Sequence, residues 1–323
     1  MDLSLAPCVG PSVSIKPSDA LRFLGALAAA LVLGVLLVLR ITSAPDAAQA
    51  RPPAPAATVA PAPPARPASV DCAAGPWSAA ARANAASLRT LAWAPFRRPE
   101  IGWETYAPLI GREIGSACPP YSFGFAAALA GWQAAQRLPA DGVFTDPVFA
   151  RLRTVVRLRG PLVQVSARGV CPPPPLEATL VQSRPDEGYG NKIVSLRPAV
   201  LDAWRRMAAA ARAESPAVAA DPRNLTLFSG YRSPESDADR CVLEGNCDGI
   251  ARAKTCSPHR TGLAIDLYVG QAPGYGPDST ADPNRLFMSR TAAYGWMLAN
   301  AHRFGFVNYP FEPWHWEWTG EAR

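Results

Sequence analysis

Residues 257–266 read Ser-Pro-His-Arg-Thr-Gly-Leu-Ala-Ile-Asp, the most informative stretch in the C-terminal part of the chain. The alternating apolar residues after Gly262 predict a strand over residues 262–268. In that strand the side chain of Asp266 points away from the apolar face. Because glycine permits a tight turn, His259 can fold back toward the same side as Asp266.

A second stretch, residues 312–318, reads Glu-Pro-Trp-His-Trp-Glu-Trp. Its three tryptophans alternate onto one face, which leaves His315 and Glu317 on the other. Pro313 bends the start of the stretch and can bring Glu312 near His315. The pattern predicts a strand with one apolar face and one face that carries titratable groups.

The two stretches together supply two imidazoles and one carboxylate, from His259, His315 and Asp266. Such a set makes a three-ligand site for Zn²⁺ with a fourth position left for water. A free carboxylate beside the metal is typical of a general base. A third stretch, residues 229–233, reads Ser-Gly-Tyr-Arg-Ser and places Arg232 at the end of a predicted strand, where a fixed cation can stabilise an oxyanion.

These three stretches resemble the VanY-like family of D-alanyl-D-alanine carboxypeptidase and dipeptidase metallopeptidases, over about residues 185–320. The family pattern is Ser-x-His-x-x-Gly-x-Ala-x-Asp, then Glu-x-Trp-His, with an upstream Tyr-Arg-Ser, and the chain matches each element. The resemblance implies that the zinc ligands are His259, Asp266 and His315. It also implies that Glu312 is the general base and Arg232 the electrostatic stabiliser. Relatives often carry a longer loop where this chain has residues 306–312, and this difference affects the rim of the substrate pocket.

The resemblance also implies a fold and an activity. The fold class is α+β, a small antiparallel sheet with flanking helices, as in hedgehog and D,D-peptidase domains. The implied activity is zinc-dependent hydrolysis of peptidoglycan stem peptides at their terminal D-Ala-D-Ala bond. One alternative is an endopeptidase of the same fold, and another is a wall-binding anchor protein without turnover. The presence of Glu312 favours an enzyme, because a binding module has no need for a base.

Three residue assignments have alternatives. Glu317 competes with Glu312 as the base because it shares a strand face with His315, but the family pattern favours Glu312 and leaves Glu317 an orienting or solvent-facing role. His302, within a predicted apolar helix, is expected to be structural. A structural Cys₃His zinc site is also conceivable, built from Cys241, Cys247, Cys256 and His259. Disulfides are favoured over it, because an oxidising compartment disfavours free thiolates.

Residues 71–170 are predicted to form a helical module, part of which resembles the second half of a peptidoglycan-binding module. A helix with Phe125, Leu129 and Trp132 on one face precedes the turn sequence Leu-Pro-Ala-Asp-Gly, and a second helix follows with Asp146 as its N-cap. Trp132 replaces the usual Phe, and the first repeat of the module is not evident upstream. A helical spacer without a ligand is the alternative.

The N-terminal region predicts attachment to a membrane. Residues 23–39 carry no charge, and with their neighbours they predict a transmembrane anchor over residues 23–41, after a cytoplasmic stub of residues 1–22. A cleaved signal peptide is the alternative, although the apolar run exceeds the usual length of about 7–15 residues. Residues 42–70 are rich in alanine and proline and predict a semi-rigid linker.

The remaining residues, 171–323, are predicted to form the catalytic domain, with helices over residues 198–213 and 292–304 and strands over residues 225–229 and 311–318. One cysteine precedes the predicted anchor and six follow it, which suits a catalytic domain on the extracytoplasmic side of a bacterial cell membrane. Hydrophobic residues make up 49% of the chain, enough to bury a core. The net charge of +6 comes without a block of like charges, so a nucleic-acid partner is not expected.

Overall fold

The computed structural model describes residues 72, 73, 75–161, 173–243 and 257–320. The predicted stub, membrane anchor and linker, residues 1–22, 23–41 and 42–70, lie outside the described residues. Within the described ranges no helix is both long enough and apolar enough to cross a bilayer. All the described residues belong to one unit, Arg66–Arg323.

Helices and short strands are interspersed along the described chain. The helices are α1 (Ser78–Ser87), α2 (Ala107–Glu113), α3 (Phe123–Ala135), α4 (Asp146–Arg157), α5 (Pro198–Glu214), α6 (Pro216–Ala219), α7 (Pro234–Leu243), α8 (Asp282–Ser289) and α9 (Ala292–Asn300). The strands are β1 (Ala92–Trp93), β2 (Glu100–Ile101), β3 (Val181–Gln182), β4 (Ser195–Leu196), β5 (Leu227–Ser229), β6 (Ala264–Leu267), β7 (Phe306–Tyr309) and β8 (Glu312–Trp318).

The largest sheet of the described residues has four antiparallel strands in the order β5-β6-β8-β7. Three of these strands were predicted, and the mixture of helices with a small antiparallel sheet confirms that part of the predicted fold class. Strand β5 begins two residues later than predicted because Leu225 adopts a positive φ of 64°, which is incompatible with an extended strand. Strand β7 was not predicted, since its four residues give too short a pattern to distinguish a strand from a loop.

Helix α5, predicted over residues 198–213, shares a buried core with the sheet. Its apolar residues are buried there, namely Val200, Leu201, Trp204 and Met207. Helix α9 packs beside it but ends at Asn300, and a 3₁₀ turn, Ala301–Phe304, replaces the last turn of the predicted helix. Gly305 ends this turn with a φ of 81°, a conformation that glycine adopts without strain.

The helical module has its own aromatic core. Phe125 and Leu129 of α3 are fully buried there and Trp132 is 9% exposed, so the predicted apolar face of this helix is confirmed. The turn after α3 is held by Gln133, whose Oε1 accepts a hydrogen bond of 2.8 Å from the backbone N–H of Gly142. Gly142 has a φ of 69°, and a Cβ there would lie 2.6 Å from the carbonyl oxygen of Ala126. The glycine is therefore required both by conformation and by close packing.

The predicted N-cap of the following helix, Asp146, is wrong by one residue. Thr145 has the extended backbone of an N-cap, with φ −142° and ψ 166°, and Asp146 is the first residue of α4. The carboxylate of Asp146 remains in the first turn, where the helix dipole favours a negative charge.

A disulfide joins Cys72 to Cys118 across 46 residues of the module. The sequence left the pairing of six cysteines open, and this pair is the one that the described residues contain. Closing a loop of this length removes enough chain entropy from the unfolded state to stabilise the fold by about 4 kcal/mol.

We expect Cys72→Ser to lower the free energy of unfolding by up to about that amount in urea titrations. An unchanged unfolding midpoint would contradict this expectation.

Candidate metal centre

Strands β6 and β8 bring two of the predicted ligands together. Asp266 of β6 lies directly opposite His315 of β8 in the antiparallel register. Residues that face each other in this way project to the same side of a sheet. His259 lies on a 3₁₀ turn, Pro258–Thr261, which ends at Gly262 with a φ of 68°. This left-handed residue turns the chain into β6, as the sequence predicted.

The three side chains form a buried cluster. The ring of His259 and the carboxylate of Asp266 approach to 3.2 Å between Nε2 and Oδ2, and Nδ1 of His315 lies 2.9 Å from Oδ1 of the same carboxylate. One potential ligand atom from each residue lies within 4.8 Å of the others. In the part of the chain that the structure describes, this is the one group of histidine, cysteine or carboxylate side chains that could hold a metal ion.

The donor set fits the Zn²⁺ ion predicted from the sequence. Zinc binds nitrogen and oxygen ligands at about 2.0–2.2 Å, so two ligands of a tetrahedral site lie roughly 3.3–3.6 Å apart. The observed separations of 2.9 and 3.2 Å are slightly shorter than this, and small side-chain shifts would accommodate an ion. Two nitrogens and one oxygen, all buried, are also the ligand types that zinc takes in catalytic sites.

His259 is held in the tautomer that a metal ligand needs. Its Nδ1 lies 2.6 Å from the carbonyl oxygen of Gly230, and a carbonyl can only accept, so Nδ1 carries the hydrogen. The lone pair is then on Nε2, which faces Asp266. Burial, assisted by the cation of Arg232, lowers the pKa of His259 to about 4. The ring is therefore neutral at pH 7, as a ligand must be.

His315 and Asp266 form a charged pair in the absence of metal. Burial alone would lower the pKa of His315, but its hydrogen bond to the Asp266 carboxylate and the nearby carboxylate of Glu317 raise that pKa to about 10. Burial would raise the pKa of Asp266, and the two histidines hold it well below its usual value. A metal cation would take the place of the proton that His315 otherwise carries.

Glu317 contacts the far side of the His315 ring. Its Oε1 lies 3.7 Å from Nε2 of His315, while Nδ1 of the same ring faces Asp266. This is the arrangement in which an outer carboxylate fixes the orientation and tautomer of a ligating histidine. The orienting role predicted for Glu317 is compatible with this geometry, since its carboxylate reaches the nitrogen that points away from the ligand cluster.

Glu312, the predicted base, is the first residue of β8 and is 9% exposed. Burial raises the pKa of Glu312 to about 7, an effect that His315 opposes and Asp266 reinforces. A carboxyl group that titrates near neutral pH can both accept and return a proton under physiological conditions.

Asn308 fixes the backbone between the base and the ligand, a role that was not predicted from the sequence. Its Nδ2 donates to the carbonyl oxygens of Glu312 and His315, at 3.1 and 3.0 Å. Its Oδ1 accepts a hydrogen bond of 3.1 Å from the hydroxyl of Tyr294. A polar residue inside the apolar run of residues 306–309 was the available signal, because buried amides must be hydrogen-bonded.

The raised pKa of Glu312 predicts that the stability of the protein depends on pH once a chelator has removed the metal. The carboxyl titrates near 7 when folded and near its usual 4.5 when unfolded. The folded state binds more protons between these values, so its stability falls as the pH rises through that window. We expect the free energy of unfolding of Glu312→Gln to exceed that of the wild type by on the order of 3 kcal/mol at about pH 8. Below about pH 4 the two free energies should be equal. Urea titrations at the two pH values measure this, and an equal difference at both would contradict it.

Arg232 reaches the same cluster from the end of β5. Its Nη1 donates to the hydroxyl of Ser229 at 2.8 Å and lies 3.8 Å from Oδ2 of Asp266. Its Nη2 donates to the hydroxyl of Ser257 at 3.3 Å, which gives the serine of the sequence pattern a structural purpose. These contacts fix the guanidinium beside the candidate ligands.

His302 does not lie where the sequence predicted it. His302 is exposed on the 3₁₀ turn after α9 rather than within an apolar helix, and its Nδ1 lies 3.4 Å from Nη2 of Arg112. It is not part of the ligand cluster. Cys247 and Cys256 of the alternative zinc site lie outside the described residues, as does the side chain of Cys241.

A buried site with two histidines, one aspartate and a neighbouring glutamate is of the type found in metal-dependent hydrolases. Residues 193–321 match the sequence model of a family described as VanY, D-alanyl-D-alanine carboxypeptidase. The match contains every predicted site residue and confirms the resemblance inferred from the sequence patterns. This part of the chain is thus similar to a family of zinc peptidases.

The chain is also similar to a solved structure, the vancomycin resistance D,D-pentapeptidase VanY from a VanB-type resistance cassette, crystallised as a Glu-to-Ala mutant in complex with Zn(II). The identity is 22%, the alignment covers 46% of this chain and 83% of the other, and the TM-score is 0.27. No curated protein matches the chain.

Proposed function

We propose that the protein is a zinc-dependent D-alanyl-D-alanine carboxypeptidase that acts on peptidoglycan stem peptides. The observation that carries this proposal is the buried cluster of His259, Asp266 and His315 beside Glu312, inside the segment that matches the carboxypeptidase family. The Zn(II) complex of the similar D,D-pentapeptidase supports the choice of metal.

His259, Asp266 and His315 would hold the zinc ion, which when bound supplies Lewis acidity that polarises a carbonyl and makes water more acidic. Glu312 accepts a proton from the attacking water on its carboxylate and returns it to the departing amine. Its burial favours the neutral form that Glu312 takes while it holds this proton. Arg232, fixed by Ser229 and Ser257, presents a positive charge to the oxygen on which negative charge develops.

The location of the enzyme is part of the proposal. An anchor over residues 23–41 and a linker over residues 42–70 would place the catalytic part outside the bacterial membrane, within reach of the wall. The disulfide between Cys72 and Cys118 supports an oxidising compartment for the residues after the linker. Residues 71–170 would contribute to contact with peptidoglycan, as their partial resemblance to a wall-binding module suggests.

Digestion of purified muropeptides distinguishes this proposal from its alternatives. We expect the residues after the linker, supplied with zinc, to convert pentapeptide stems into tetrapeptide stems, detected by mass spectrometry. Cleavage of cross-links or internal stem bonds would support an endopeptidase instead. Binding to sacculi without any released product would support a wall-binding protein.

Glu317→Gln tests the orienting role of Glu317. The amide keeps the size of the side chain but removes the charge that lies 3.7 Å from Nε2 of His315. We expect the dissociation constant for zinc to rise by about tenfold and the turnover of zinc-saturated protein to stay within about tenfold of the wild type. Competition with a chromophoric chelator measures the affinity. Unchanged zinc affinity would contradict the role.

A further inference from the structure

The residue that precedes the base belongs to the core of the helical module. Phe311 is 2% exposed and packs among the module's buried aromatic residues rather than in the core behind the sheet. Its ring lies 5.0 Å from that of Phe96, measured between centroids. Because Phe311 and Glu312 are neighbours in the chain, the packing of the module determines where β8 begins.

A buried cation also links the module to this point. Arg285 of α8 is 1% exposed, and its Nε donates a hydrogen bond of 2.9 Å to the carbonyl oxygen of Phe311. Its guanidinium lies over the Phe311 ring, 4.1 Å from the ring centroid. The same side chain therefore contacts both the backbone and the ring of the residue before Glu312.

Arg285 has two negative partners, Asp282 of its own helix, whose Oδ1 lies 3.3 Å from Nη1, and a glutamate that the module supplies. Glu100 of β2 is 5% exposed, and its Oε1 lies 3.1 Å from Nη1 of Arg285. The hydroxyl of Tyr106 contacts Nη2 of Arg285 and lies 3.0 and 2.9 Å from the two carboxylate oxygens of Glu100. A buried arginine with these partners has little rotational freedom, because any other orientation would leave buried charges unpaired.

The module touches the other end of β8 as well. Gly160, which follows α4, lies so close to Glu317 that a Cβ at this glycine would be 2.8 Å from Oε2 of the carboxylate. Both ends of the strand that carries Glu312 and His315 are thus in contact with residues upstream of the family match at 193–321.

We propose that Arg285, held by Glu100 and Tyr106 of the helical module, is a positioning residue that fixes Glu312 for proton transfer. The module is then a structural part of the catalytic centre, in addition to any contact it makes with the wall. Arg285 acts through the carbonyl oxygen and ring of Phe311, so its influence on the base exceeds its influence on the ligands His259 and Asp266. His259 precedes β6 and Asp266 lies within it.

Two variants test this inference, which rests on the proposed function for its kinetic arm. Glu100→Gln removes the module's charge beside Arg285 and leaves that of Asp282. Tyr106→Phe removes one hydroxyl with little change of shape and is the milder substitution. The matched control is Arg112→Ala, which removes another bond between the module and the C-terminal part, from Arg112 Nε to the carbonyl oxygen of Leu298 at 3.0 Å. This control does not touch Phe311 or β8.

The readouts are kcat and KM for a pentapeptide ending in D-Ala-D-Ala, zinc content, and hydrogen exchange of residues 306–318, all on the zinc-loaded full chain in detergent. We expect kcat to fall by up to about 10²-fold in Glu100→Gln and less in Tyr106→Phe, with KM and zinc content retained. Exchange at the backbone amides of Phe311 and Glu312 should accelerate in both variants, and Arg112→Ala should behave as the wild type.

Unchanged kcat and unchanged exchange in Tyr106→Phe and in any folded Glu100→Gln would overturn the inference. Parallel loss of zinc, KM and protection throughout the chain would also overturn it, since that pattern indicates general destabilisation. Hydrogen exchange does not need turnover. A wild type without peptidase activity would therefore contradict the proposed function. Faster exchange in the two module variants, confined to the amides of Phe311 and Glu312, would still support the link to Glu312.

Discussion

Glu312→Gln is expected to lower the rate of peptide hydrolysis by about 10²–10⁴-fold while leaving the bound zinc in place. The amide cannot accept a proton from water, so the reaction loses its general base. The zinc should stay bound because the three candidate ligands are other side chains. The neutral amide also replaces a carboxyl group that is itself largely buried. Steady-state kinetics with a pentapeptide substrate and metal analysis of the same sample measure both quantities.

Glu317→Gln is the matched control for this experiment, because it makes the same chemical change on the same strand. We expect it to retain turnover within about tenfold when saturated with zinc. An inactive Glu317→Gln together with an active Glu312→Gln would reverse the two assignments. Wild-type rates in both variants would mean that neither carboxylate is the base.

His259→Ala and His315→Ala are expected to remove both the metal and the activity. Each substitution leaves two ligands, and the loss should exceed the roughly 10–100-fold change in metal affinity that follows removal of an outer partner. Metal analysis after gel filtration should give about one zinc per chain for the wild type and close to none for either variant.

His302→Ala is the control for these two variants, since His302 is exposed and lies outside the ligand cluster. It should retain zinc and activity at wild-type levels. Zinc retained at full stoichiometry in both His259→Ala and His315→Ala would show that the metal binds elsewhere.

The side-chain directions within each strand could be predicted from the sequence. The alternation over residues 263–267 correctly separated Asp266 from the buried Ile265 and Leu267, and the alternation of tryptophans placed His315 and Glu317 on the other face of their strand. Both conclusions depend only on the period of two in a strand. The register that puts Asp266 opposite His315 is a long-range property, and the family pattern, rather than periodicity, indicated that these residues meet.

The connection between the module and the base could not be predicted. Arg285, Glu100 and Phe311 are far apart in the sequence, and none of them belongs to a recognisable pattern. Arginine and glutamate are usually exposed, so nothing local indicates that this pair is buried. The cysteine pairing was equally open, because its choice depends on which parts of the module lie close together, and the structure brings Cys72 to Cys118.

The most direct test of the central claim is mass spectrometry of a synthetic stem pentapeptide ending in D-Ala-D-Ala after incubation with the zinc-loaded protein. We predict release of one D-alanine and a tetrapeptide product, loss of this activity after exhaustive chelation, and its return when zinc is restored. The same product formed at the same rate by chelated protein without bound metal would contradict the zinc assignment. An intact pentapeptide after prolonged incubation with zinc-loaded wild type would contradict the carboxypeptidase itself.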